Sequence, residues 1–367
     1  MKILVLMKRF STNKDLVMQN FGRQVRLFEH LRKSGHKIDF LCMDYKRLES
    51  KKVNKNGIDY YIEPFSLAKF NAFLGKLNSM LIENNYDVLV ASTSPLLGII
   101  GYYYSRKRKI KMVYDLQDSF DAYDEYKIPF VKQIDKYVTK NADVVICVSH
   151  SLRNSVKKFR KKPIFIVENG IEKELFRPME KTKCRKNLRL PLNKKIIVYI
   201  GQIAEIKGFS ILIAAFDRVR KKIPNAYLLI SGQIDKVDAK HENVIYETLP
   251  ERMQVAMAIN AADVAVIPNP RNDFTEYCFP YKLVEYMACN VPIVATDVGD
   301  VSLMLKKYKG SLCKPNDSRD LSEKIIAKIK KYQRVDYAKS IRNFGWGVLA
   351  ERLDNILQDE LKRGAKK

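Results

Sequence analysis

Short apolar runs alternate along this chain with stretches in which apolar residues recur every three or four positions. Residues 3–7 form a continuous apolar run between two lysines and predict a buried strand. Over 19–34, Phe21, Val25, Phe28 and Leu31 recur at helical spacing, and Gly35 stops that helix. Further strands are predicted at 37–42, 87–91, 111–114, 143–148 and 163–167. Then the pattern restarts. A strand at 195–200 is followed by a helix at 209–222, strands at 226–231 and 243–246, a short helix at 250–260 and a strand at 264–268. A helix carrying Glu285 and a strand at 293–296 complete the second series. Strand–helix alternation of this kind calls for parallel α/β sheets.

A chain of 367 residues exceeds one typical core. The restart therefore divides it into a first α/β domain (1–168), a linker with Pro178, Pro191 and a basic run (169–192), a second α/β domain (193–345) and an amphipathic terminal helix (346–367) expected to pack back on the first. No window approaches the 18 or so apolar residues of a spanning helix, and the N-terminal apolar stretch is short for a signal peptide. Six scattered cysteines without a Cys-x-x-Cys pair fit a reduced, cytoplasmic protein, and four histidines without zinc-like spacing argue against a structural metal.

The net charge is +26, split almost evenly as +14 through residue 168 and +12 beyond it. Such a field attracts nucleotides, nucleic acid or an anionic membrane surface, and equally fits a merely lysine-rich solvated surface. Two stretches have interfacial character: the apolar stripe Leu67, Phe70, Phe73, Leu74, Leu77 and Leu81, and the basic runs 157–162 and 106–111. The stripe reads more readily as core.

Candidate chemistry concentrates in FPYKLVEYMACNVPIVATDVG, residues 279–299. It places Lys282 and Glu285 at the start of an apolar helix that leads through Pro292 into a β-branched strand ending at Gly299. In α/β proteins ligands bind where strand ends meet helix starts. A helix N-terminus offers N–H groups and a positive dipole end, a lysine there can meet a phosphate, and a carboxylate can accept two ribose hydroxyls. A second segment, YIGQIAEIKGF (199–209), ends a strand at Gly201 and opens a helix after Lys207-Gly208, where a bare backbone and a charge suit a phosphate. In the first half, Asp115, Asp118, Asp121, Asp124 and Glu125 follow a strand; they read either as a solvated acidic turn or as a source of a general base.

These segments resemble the donor-site motifs of family 4 glycosyltransferases, retaining enzymes of the GT-B fold. The resemblance covers nearly the whole chain, most strongly from residue 140. It implies an α/β, GT-B architecture with two Rossmann-like domains facing a cleft. Gly201, Lys207 and Gly208 match the loop that grips the donor diphosphate; Gln202 stands where the family has an arginine, removing one phosphate charge. Glu285 matches the second of the family's paired glutamates, which holds the ribose. Glu276 is the shifted counterpart of the first, beside the donor sugar, and Pro280, Lys282 and Glu285-Tyr-Met-Ala fit one branch of the family. Gly22 stands for the glycine loop after the first strand. Asp118 is the candidate acceptor-side carboxylate, with Asp115 orienting the loop. Segments 142–152 and 166–178 resemble the domain-closing elements; Asn169-Gly170 turns into the linker, and His150 has no catalytic role.

The resemblance thus implies a retaining transferase moving a sugar from a nucleotide-sugar donor to a glycan or lipid-linked glycan. It needs no cofactor or metal, since no Asp-x-Asp is present. It works in the cytoplasm, with an anionic membrane surface as a candidate partner, and no nucleic acid is expected. The alternatives are a nucleotide-sugar epimerase on the same fold and a basic nucleic-acid-binding protein. A dehydrogenase is disfavoured by the lack of Gly-x-Gly-x-x-Gly.

Overall fold

The structure is a computed structural model that describes residues 1–11, 14–119 and 123–365, with side chains to residue 360. The chain divides into two compact units, Met1–Glu168 with Trp346–Lys367, and Asn169–Gly345.

In the first unit β1 (Lys2–Lys8) is followed by a minimal hairpin, β2 (Phe10–Ser11) and β3 (Lys14–Asp15), then by α1 (Arg23–Lys33). There follow β4 (Lys37–Asp44), β5 (Lys51–Lys55), β6 (Ile58–Pro64), α2 (Phe70–Glu83), β7 (Val88–Ser92) and α3 (Pro95–Arg108). The series continues with β8 (Lys111–Leu116), α4 (Val131–Asn141), β9 (Val144–Cys147), α5 (His150–Lys157) and β10 (Ile164–Ile166). The sheet order is β10-β9-β8-β7-β1-β4-β6-β5, parallel apart from the β5–β6 pair. β1 lies between β4 and β7, so the order reverses at its side, the place where an open α/β sheet binds ligands.

Among the elements that went unread in the sequence are β5 and β6. β5 and β6 join through Asn56-Gly57, both at positive φ (53° and 75°), the arrangement a tight two-residue hairpin requires. The apolar stripe at 67–81 resolves largely as core: Phe73, Leu77, Met80 and Leu81 of α2 pack with Leu4, Leu6 and Leu89, while Leu67 is exposed. The basic run at 157–162 is also partly internal. Arg160 is buried and donates to the carbonyls of Thr139, Lys140, Ala142, Asp143 and Pro163, and burial lowers its pKa to about 10.

The second unit begins with the stretch expected as a linker. It is folded: α6 (Lys181–Asn187) buries Arg185, which donates to Asp263 at 2.8 Å and to the carbonyls of Ala261, Leu192 and Lys194. Then come β11 (Lys195–Ile200), α7 (Phe209–Lys222), β12 (Ala226–Ser231), β13 (Val244–Tyr246), α8 (Arg252–Ala261), β14 (Val264–Ile267) and α9 (Asp273–Tyr277). The unit continues with α10 (Tyr281–Ala288), β15 (Ile293–Thr296), α11 (Gly299–Leu305), β16 (Leu312–Cys313), α12 (Ser318–Lys330) and α13 (Ala338–Ile341). All six strands are parallel, ordered β13-β12-β11-β14-β15-β16, with the reversal between β11 and β14. Strands covered on both faces explain the unbroken apolar runs. Ile197, Tyr199, Phe216, Leu228, Ile230, Val264 and Val294 share one core cluster.

The last helix, α14 (Trp346–Ala365), belongs to the first unit and packs on α1, and its Asp354 pairs with His36 at 3.0 Å. Among the described residues no helix is long and apolar enough to cross a membrane.

Candidate functional site

The second unit gathers its candidate residues at the C-terminal ends of β11, β12 and β14. The backbone N–H of Ile200 donates to the hydroxyl of the buried Tyr286 at 2.9 Å, which ties α10 to the end of β11. That tie sets Lys282 against Gly201: a Cβ on Gly201 would stand 2.8 Å from the Lys282 ammonium. Gly201 has φ +134° and Gly232, at the end of β12, φ +143°; a Cβ on Gly232 would strike the Gly201 carbonyl. The two strand ends are thus bare backbone at close approach, which only glycine permits.

Two cations converge there. The Lys282 ammonium lies 3.9 Å from the Tyr199 ring centroid, and that of Lys207 lies 3.8 Å from the Phe274 centroid. Burial, reinforced by the Lys207 charge, pulls the pKa of Lys282 down to about 7. A mutually repelling lysine pair beside glycine backbone is the environment a diphosphate would neutralise. Gly208 holds Lys207 in place: it has φ +81° at the start of α7, and a Cβ there would collide with the Pro268 carbonyl at the end of β14.

Glu285, one turn into α10, is 4% exposed and accepts from Arg252 Nη1 at 2.8 Å. Arg252 opens α8 and also donates through Nε to Glu172 at 2.9 Å. Burial works against its charge, but the two carboxylates outweigh that and raise its pKa. Glu285 is therefore a carboxylate oriented by a bound guanidinium.

Gln202, at the family's arginine position, points its side-chain amide at Asp235 (3.1 Å), and its backbone carbonyl accepts from the Tyr199 hydroxyl at 2.6 Å. Glu276 lies in α9 with its side chain part-exposed and Arg271 3.9 Å away. Its carbonyl lies against Gly299, which needs φ +51° to pass it. The buried Asn269, just beyond β14, leaves its side-chain oxygen without a hydrogen-bond partner. Such an orphan costs about 1–3 kcal/mol and is suited to a ligand hydroxyl.

In the first unit, Gly22 (φ +99°) stands at the start of α1, which carries no acidic residue in its first turn. Asp115 is structural: Arg23 grips it with Nη2 at 2.8 Å and Nε at 3.2 Å, and Ser92 donates to it at 2.9 Å. Asp118 accepts from the Tyr123 hydroxyl at 3.2 Å and lines a hollow of about 430 Å³ between α4 and α5. Asp124 is exposed and paired with Lys127; Asp121 lies outside the described residues. His150 is exposed at the start of α5. Among the described residues no group of three or more His, Cys, Asp or Glu side chains is arranged to hold a metal ion.

The family description Glycosyl transferases group 1 matches residues 180–344, and Glycosyltransferase Family 4 matches residues 24–175. The chain belongs to this family of glycosyltransferases. Among curated relatives, Bacillus subtilis (strain 168) TuaC, named as a teichuronic acid biosynthesis glycosyltransferase, is 30% identical over 192 residues. That match covers 52% of this chain and 48% of TuaC, about half of that relative's length. Sucrose-phosphate synthase from Thermosynechococcus elongatus matches with TM-score 0.77 at 16% identity, over 98% of each chain. Anabaena HepE in complex with UDP-glucose matches with TM-score 0.74 at 16% identity, over 98% of this chain and 99% of that one. These structures show that the transferase has the GT-B fold. Neither alternative reading of the sequence, epimerase or nucleic-acid binder, finds support in these relatives.

The sequence did not single out Arg252, which holds Glu285, or Glu172, which shares that guanidinium. Glu172 and Arg252 are 80 positions apart, and Arg252 and Glu285 are 33 apart, so no local spacing announces the triad. Arg252 does follow a legible signal, the reciprocal cap between Glu251 and Gln254 that starts α8.

Proposed function

We propose that the chain transfers a sugar from a nucleotide-sugar donor, bound in the second unit, to a glycan or lipid-linked glycan, with retention of configuration. The observation that carries this reading is the meeting of Lys207 and Lys282 at glycine-lined strand ends, with the fixed carboxylate Glu285 one turn further along α10. The lysines and glycine backbone take the diphosphate, and the second oxygen of Glu285 takes the ribose hydroxyls. Glu276 and Asn269 lie by the sugar.

In the reaction the bond from the anomeric carbon to the diphosphate breaks, and the nucleoside diphosphate leaves with the electron pair. The acceptor oxygen bonds that carbon on the same face. Lys207 and Lys282 stabilise the charge that develops on the leaving group, with no metal required. The first unit is assigned acceptor recognition, with Asp118 as the carboxylate that takes the acceptor proton. HepE, solved with UDP-glucose, supports a nucleotide-sugar donor, and the name of TuaC, a teichuronic acid biosynthesis glycosyltransferase, supports a polysaccharide product.

The test is thermal stabilisation by UDP-, GDP-, ADP-, CMP- and dTDP-sugars without added metal, for the parent chain and Glu285→Ala. A shift with one nucleotide class that the variant loses supports the reading. No shift with any of them refutes it.

A further inference from the structure

The surface of the first unit carries an apolar stripe that its core does not explain. On α4 and the residue before it, Phe130, Ile134 and Tyr137 are 71%, 43% and 58% exposed. They stand at steps of four and three, so they share one helix face, while Val131, Val138 and Thr139 face the core. Tyr102 of α3 meets Tyr137 edge-on at 6.0 Å, and the adjacent Tyr103 is exposed, which extends the patch onto a second helix.

Phe130 bears a second cost. It has φ +65°, in the left-handed region that glycine or asparagine occupies cheaply and a bulky side chain does not. Neither its exposure nor its backbone is accounted for by packing within the unit. Lysines accompany the stripe: Lys132, Lys136 and Lys140 form a row along α4, Lys127 precedes it, and Arg106 and Lys107 are exposed at the end of α3. Lys132 and Lys136, with Lys158, also line the hollow of about 430 Å³ between α4 and α5.

We infer that this face of the first unit docks on an anionic lipid surface, with Phe130, Ile134 and Tyr137 entering the headgroup boundary and the lysine row meeting lipid phosphates. Exposed apolar side chains beside a cationic row are the pattern of interfacial helices. The charge complements an anionic leaflet. A nucleic acid would use the lysines but leave the apolar stripe in water, and a protein partner has no reason to demand the cationic row. The inference does not depend on the transferase reading, since it concerns α3 and α4 and needs no donor.

The test is cosedimentation of the purified full chain with vesicles of equal phosphatidylcholine and phosphatidylglycerol, against phosphatidylcholine alone, without donor. Binding is expected to the anionic vesicles only. Phe130→Ser with Tyr137→Ser should weaken it by at least about tenfold, as loss of two inserted apolar side chains implies. Lys132→Gln, Lys136→Gln and Lys140→Gln together should weaken it comparably and flatten its salt dependence. Leu67→Ser with Ile82→Ser, on the exposed edge around α2, should leave it unchanged. Phe130→Trp keeps the apolar bulk and should show a blue-shifted emission on anionic vesicles, a readout independent of any folding defect in the serine variants. The proposal is overturned by failure to bind anionic vesicles at low salt, by binding that depends on Leu67 and Ile82 rather than α4, or by bound Phe130→Trp with unshifted emission. Salt-sensitive capture of transfer RNA in place of vesicles also overturns it.

Discussion

Arg252 Nη1 donates to Glu285 Oε1 at 2.8 Å, and through that contact a residue at the start of α8 fixes the carboxylate assigned to the ribose. The same guanidinium holds Glu172, so one cation serves two carboxylates. Removing the part-exposed arginine leaves the buried Glu285 carboxylate without its partner, which costs more than the pair itself contributes. Arg252→Ala is expected to lower stability by about 2 kcal/mol and to raise the donor KM more than it lowers kcat. Arg252→Lys keeps the charge but cannot reach both carboxylates in a fork, and should recover stability better than KM. Thermal denaturation and donor saturation kinetics separate the two effects; an unchanged KM in Arg252→Ala would remove this positioning role.

Lys282 sets a pH dependence with a definite sign. Its pKa is lowered to about 7, against 10.5 ordinarily, so between those values the unfolded chain binds the extra proton. Stability from this group therefore rises as pH increases through that window, and below it the charged buried lysine is a constant cost. Donor binding runs the other way, because the diphosphate requires the protonated lysine. Affinity for a nucleotide-sugar should fall about fivefold between pH 7 and pH 8, and Lys282→Met should bind weakly at every pH with a flat profile. Titration calorimetry across pH 6–9 checks this; a parent chain with flat affinity would contradict it.

Gly208 has no tolerance for a side chain. Its φ of +81° and the Pro268 carbonyl both oppose a Cβ. Gly208→Ala should cost about 2 kcal/mol or more and displace Lys207, so that stabilisation by a nucleotide-sugar is lost even well below the midpoint of unfolding. Gly35→Ala is the comparison: nothing approaches that position within 4 Å, so only its φ of +94° is strained and donor response should survive. Differential scanning fluorimetry with and without donor distinguishes the two.

The two lysines are proposed to neutralise the leaving diphosphate without a metal ion. Turnover is then expected to survive a chelator such as EDTA with less than about a twofold change, whereas Lys207→Ala should reduce kcat by about a hundredfold, the scale of losing one group that stabilises developing charge. Loss of turnover on chelation, restored by a divalent cation, would overturn this part of the mechanism.

Much of this protein was legible in its sequence because much of it is local. Continuous apolar runs mark strands buried on both faces, and the strands at 195–200, 226–231 and 293–296 have the same bounds in the structure. Strand-end glycines and the Lys282–Glu285 spacing are properties of a few adjacent residues, so a candidate donor segment could be named before any fold was known. Tertiary structure decided what adjacent residues cannot encode. Residues 169–192 fold into the second unit because Arg185 finds Asp263 and three carbonyls that its neighbours do not reveal. The stripe in α2 is buried, while the one on α4 is exposed, although both have helical spacing. Periodicity specifies a face, and only packing determines what covers it. Arg252 joined Glu285 for the same reason: ion pairs between distant segments depend on where the strands and helices come together, and that information is spread over the whole chain.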